Sequence, residues 1–169
     1  MAINFNPTER LILINQFKIL SRLESENSNY YNELIQILEN GYVIFYNQIN
    51  QWISTEMSVE HSRFVLDILN VYRRLEELKR RTSDENLLQH PYSIFRGFDG
   101  NEESEYMAFT RFLIEEQGKF NEQRKYLLEN DHLNSHMPMI NKYERMIQIA
   151  NDIDNWTLSI EDGMKILNA

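Results

Sequence analysis

Residues 58–81 read SVEHSRFVLDILNVYRRLEELKRR, and this stretch decides the fold class. Phe64, Ile68, Val71, Tyr72, Leu75 and Leu78 recur at the spacing of one face of a helix. Ser58 is a good capping residue just ahead of the run, and Lys79-Arg80-Arg81 ends it with cations that suit the negative end of the helix dipole. A long helix that is apolar along one side needs other elements to cover that side.

The flanking sequence supplies more helices. Asn6-Pro7-Thr8-Glu9 combines a cap, a proline at the first helical position and a glutamate at the third, ahead of the apolar run Leu11, Leu13, Ile14, Phe17, Leu20. A second helix is expected from about Asn29 to Gly41, where glycine can take positive φ and end it. A third is expected over Val43 to Ile53, and a short one over Asp84 to Gln89, stopped before Pro91. Tyr106, Phe109, Phe112, Leu113 and Phe120 predict a sixth, Met139, Tyr143, Met146, Ile147 and Ala150 a seventh, and Ser159 to Asp162 opens the last. Five glycines and three prolines leave too little punctuation for a many-stranded β fold. The reading is therefore an all-α, compact single-domain bundle of seven or eight helices, with one domain over residues 1–169.

Composition narrows the function. Cysteine is absent, which removes disulfides, thiolate zinc sites and thiol nucleophiles. MAINFNPTER lacks the basic and apolar regions of a secretory signal, so a cytoplasmic location is expected. The longest uncharged stretch, Asn40 to Thr55, is interrupted by Asn and Gln and is short of the ~20 apolar residues that span a bilayer, so no membrane association is expected. A net charge of −9 repels phosphate backbones, and makes nucleic acid an unexpected partner.

Several ordered segments carry a resemblance. RLILINQFKIL near the start, ILENGY at Ile37 to Tyr42, the GFD stretch at Gly97 with Glu103, Tyr106, Arg111 and Phe112 after it, PMINKYERM and the terminal ILNA together resemble the YfbU family of bacterial proteins. The resemblance implies a small, largely helical, cytoplasmic protein. It supplies no reaction, no cofactor and no catalytic residues.

Four sets of residues can bear function. The stretch FRGFDGNEE, Phe95 to Glu103, contains the spacing Asp99-x-x-Glu102 of a capping box, which explains it as the start of a helix. Alternatively Asp99, Glu103 and Arg111 face one cleft, where two carboxylates beside a guanidinium could orient a water in a hydrolase or ribonuclease. His132 and His136 have the i, i+4 spacing that shares a metal on a helix, but Pro138 and the missing HExxH glutamate speak for loop residues, so neither a metal nor a cofactor is expected. Arg73, Arg74, Lys79, Arg80 and Arg81 could meet RNA, or form a solvated face that complements the helix dipole. Finally Tyr30, Tyr31, Tyr42, Phe45, Tyr46 and Trp52 crowd a short span. Aromatic residues favour interface centres, so Tyr42, Tyr46 and Trp52 mark the surface for a homo-oligomer or a protein partner. The sequence thus predicts a non-enzymatic interaction or regulatory protein that self-associates.

Overall fold

The computed structural model describes residues 4–169, and its secondary structure is helical, with one isolated bridge between Phe98 and Asn134 and no strand among the described residues. The described residues form eight α-helices: α1 Pro7–Leu23, α2 Ser28–Asn40, α3 Val59–Thr82, α4 Glu85–Gln89, α5 Ser104–Arg111, α6 Asn121–Arg124, α7 Ile140–Asn151 and α8 Ile160–Leu167. Among the described residues no helix is long and apolar enough to cross a membrane. The chain gathers into two compact units, Met1–Glu56 and Met57–Ala169, each with its own apolar core. The segment from Gln51 to Glu56 that ends the first unit is exposed throughout and buries nothing.

The first unit is a helical hairpin. Asn6 and Glu9 form the expected capping box, and Gly41, at φ 70°, ends α2 in the left-handed conformation. Arg10 closes the hairpin by donating to the Leu38 carbonyl at 2.7 Å and the Glu39 carbonyl at 2.9 Å, so the start of α1 lies beside the end of α2. Ile14, Leu34, Ile35, Ile37, Leu38 and Tyr46 form its core. The expected third helix is not an α-helix: Val43–Gln48 is a 3-10 segment, and turns follow it. Of that segment only Tyr46 is buried, with Ile49 half-buried, and a pair at i and i+3 eclipses in a 3-10 turn but cannot form an α-helical stripe.

The second unit is built on α3. Ser58 caps it as expected, and Val65, Ile68, Leu69, Tyr72, Leu75 and Leu78 are almost fully buried. α8 approaches it closely, since a Cβ at Gly163 would stand 2.4 Å from Leu78 Cδ2. Tyr72, Phe95, Phe98 and Tyr143 interlock, with the Phe95 and Tyr143 rings stacked at 5.5 Å and Phe98 edge-on to Tyr143 at 5.4 Å. The expected sixth helix ends early. α5 passes at Phe112 into a π-helical turn, Phe112–Glu116, and Phe120 lies beyond it in a left-handed conformation, φ 52°. The short α6 follows, which no periodicity in the sequence announced.

Candidate functional site

The loop from Phe95 to Glu103 is the most densely bonded part of the second unit. Gly97, at φ 83°, brings the backbone so close to residue 133 that a Cβ would stand 1.9 Å from the Leu133 carbonyl oxygen. Only glycine combines that φ with that approach. Phe98 then donates its N–H to Leu133 O at 3.0 Å and accepts from Ser135 N at 3.1 Å. Tyr143, buried at the centre of the aromatic cluster, donates its hydroxyl to Gly97 O at 2.9 Å, and burial holds its phenol well above the usual range.

Asp99 and Glu103 are brought together and both are buried. Asp99 Oδ1 accepts from the N–H groups of Asn101 at 2.7 Å and Glu102 at 2.9 Å. The residue that reaches back to Asp99 N is Glu103, at 3.0 Å, and not Glu102 as the capping-box spacing predicted. The loop makes an Asx turn ahead of α5, which itself begins only at Ser104. The other oxygen of Glu103 accepts from Met139 N at 2.7 Å and Ile140 N at 2.9 Å, and so caps the first turn of α7 from another element. Arg111 turns away from both carboxylates: its Nε donates to His132 O at 2.6 Å. Glu103 and Arg111 therefore fasten this loop and α5 to residues 132–140, Asp99 holds its own turn, and every bond is made to backbone.

The histidines do not share a helix. His132 has φ 53° in a left-handed run with Asp131 and Leu133, and the exposed His136 Nε2 lies 3.0 Å from Asp131 Oδ2. Among the described residues no three His, Asp or Glu side chains converge to hold a metal ion.

The basic cluster is mostly turned to the protein's own backbone. Arg74 donates to Ala150 O at 2.9 Å, Asn155 O at 2.8 Å and Trp156 O at 3.2 Å, which caps the end of α7. Arg81 reaches Leu158 O at 2.5 Å and the buried Lys79 reaches Ser93 O at 2.7 Å beside its ion pair with Glu76. Arg73 pairs with Glu122 at 2.7 Å above the Phe120 ring, and Arg80 pairs with Glu77 on the surface. The expectation of one solvated face is corrected for Lys79, which is buried, and for Arg74 and Arg81, whose guanidinium groups hold loop carbonyls.

The aromatic set divides. Tyr46 is 2% exposed and packs on Phe5 at 5.0 Å, so it belongs to the core and not to an interaction surface. Trp52, at 81%, is exposed, as are Tyr42 and Phe45. Leu11, read as part of the apolar run of α1, is exposed too, as are residues that the sequence reading did not single out for a surface: Val43, Ile44 and Ile53, and on α1 Ile12, Ile19 and Leu23. A helical wheel of α1 would have found the last set.

The model of the YfbU domain matches residues 3–169, across both units. The chain belongs to the YfbU family. It is 47% identical over 165 residues to the UPF0304 protein MJECS11 of Methanocaldococcus jannaschii, covering 95% of this chain and 97% of that one. It is 30% identical over 164 residues to the UPF0304 protein PM1500 of Pasteurella multocida, covering 96% and 97%. The GFD loop and the charged residues that pin it thus lie inside a domain shared over its full length.

Proposed function

We propose that this YfbU chain is a cytoplasmic, non-enzymatic protein that self-associates, a second copy docking on the first unit through the outer side of α1 and the uncharged strip after Gly41. The observation that carries this reading is that α1 is apolar on two opposite sides. Leu13, Ile14 and Phe17 pack in the hairpin core, whereas Ile12, Ile19 and Leu23 are exposed. At ~100° per residue these last three fall within roughly 40° of one another on the far side of the helix. A helix apolar around its circumference is stable when both sides are covered.

The strip adds Tyr42, Val43, Ile44, Phe45, Trp52 and Ile53, all exposed, within a span from Asn40 to Thr55 that holds no charged residue. A side chain worth ~1.5–3 kcal/mol on burial at ~25 cal/mol per Å² presents on the order of 100 Å². Summed over the nine positions, the exposed apolar area is on the order of the ~800 Å² per partner of a standard interface. A second copy fits because an uncharged apolar surface meets its own like without repulsion and without stranding a buried charge.

Sedimentation velocity of the full chain tests the reading. A dimer in the micromolar range is expected for the wild type, and a particle of 20.4 kDa with unchanged helical circular dichroism for Ile19→Glu with Leu23→Glu. A wild-type chain that sediments at 20.4 kDa across that range overturns the proposal.

A further inference from the structure

The second unit carries a groove that the self-association reading does not use. It lies between the first half of α3 and the last half of α7, with a volume of about 780 Å³, within the usual range for ligand sites. Both walls repeat the same order of chemistry. α3 contributes Glu60, then Phe64, then Asp67, and on the facing wall come Glu144 and Ile147 of α7, then Asp152 just past its end. The acids are exposed, and among the described residues none of the four forms an ion pair. The floor is fixed, because the Phe64 ring stands edge-on to Tyr106 at 5.8 Å and Ile147 packs on the main core. Arg63 is the one cation among the lining residues, and among the described residues it too forms no ion pair.

We propose that this groove docks an amphipathic helical segment of a protein partner, with Arg or Lys at positions i and i+7 and leucine-like residues at i+3 and i+4. The argument is complementarity of charge and spacing. Glu60 and Asp67 are seven residues apart on one helix, so a docked helix with cations seven apart, ~10.5 Å along its axis, sets each cation against an acid of α3, with Glu144 and Asp152 on the facing wall. The apolar residues between them meet Phe64 and Ile147. An anionic or uncharged segment would desolvate the four carboxylates without replacing water by a counter-charge. The chain's net charge of −9 attracts a cationic partner at long range.

Fluorescence anisotropy on the full chain tests this with a labelled synthetic helical peptide of about four turns that carries the stated pattern on an alanine background. A peptide of the same composition in scrambled order is the control. The patterned peptide is expected to bind at least tenfold more tightly than the scrambled one. Asp67→Lys with Glu144→Lys is expected to remove that difference, while the matched reversal Glu129→Lys with Glu161→Lys, outside the groove, leaves it in place. Equal binding of the two peptides, equal loss with either pair of reversals, or displacement of the patterned peptide by an equivalent charge of free spermidine would each overturn the proposal. All four substituted positions are exposed, and binding is compared only among variants whose circular dichroism spectrum and melting temperature match the wild type.

Discussion

Glu103 is the residue whose removal best tests how the second unit is held together. Its carboxylate lies 3% exposed and accepts N–H bonds from Asp99, Met139 and Ile140. A hydrogen bond to a charged group contributes ~1.5–3 kcal/mol, and a buried donor left without a partner costs ~1–3 kcal/mol. Glu103→Ala strands all three donors, and water entering the vacated space recovers part of the loss, so the expected destabilisation is about 3–5 kcal/mol. Glu103→Gln keeps one carbonyl oxygen for Met139 and Ile140 but points an amide N–H₂ at the N–H of Asp99, and about 1.5–3 kcal/mol is expected. The assay is urea unfolding followed by the fluorescence of Trp156 in a Trp52→Phe background, which reports on the second unit alone. If Glu103→Ala lay within ~0.5 kcal/mol of a surface control such as Glu129→Ala, the pinning role would be wrong. If it kept full stability yet abolished a hydrolytic activity, Asp99 and Glu103 would be a catalytic pair instead.

Three further expectations follow from single positions. Gly97→Ala should cost more than ~3 kcal/mol, because strain at φ 83° is joined by a Cβ 1.9 Å from Leu133 O, whereas Gly118→Ala, at φ 62° with nothing near its Cβ, should cost only ~1–2 kcal/mol of backbone strain; thermal denaturation of the two variants side by side compares them. Gln123 is fully buried with both amide atoms unpartnered, so Gln123→Met should stabilise the second unit by ~1–3 kcal/mol in the same urea assay, and a loss of stability would show that the amide is satisfied. The Ser159 hydroxyl and N–H hold the Asp162 carboxyl below its ordinary range. A depressed carboxylate contributes stability that is present above its unfolded pKa of about 3.9 and is lost as pH falls through the folded value. Ser159→Ala should therefore lower stability at neutral pH and flatten its dependence between pH ~5 and ~3, and an unchanged acid limb would contradict the cap.

Much of the local structure was legible in the sequence. The Asn6–Glu9 capping box, the Ser58 cap, the glycine end of α2, the stripe along α3 and the helix starts at Asp84 and Ser159 all form as read, because each depends on residues within one or two turns of one another. The candidate site was legible only in part. The GFDG spacing marked a tight loop, and Asp99 does cap its own turn, but nothing local distinguishes Glu102 from Glu103 as the residue that reaches back.

What the sequence by itself determined is therefore the helical class and the ends of most helices, through periodicity and caps that act over a few residues. What only the tertiary structure decided is where the polar side chains spend their bonds and which aromatic residues are covered. Arg74 caps carbonyls 76 to 82 residues away, Glu103 caps a helix 36 residues ahead, and Tyr46 is claimed by the hairpin core while Trp52, close by in sequence, stays in water. Val43–Gln48 likewise is a 3-10 segment and α5 ends before Phe120, where local periodicity predicted α-helix. Such outcomes depend on which backbone groups packing leaves unpaired, and that is fixed only when the whole core has closed.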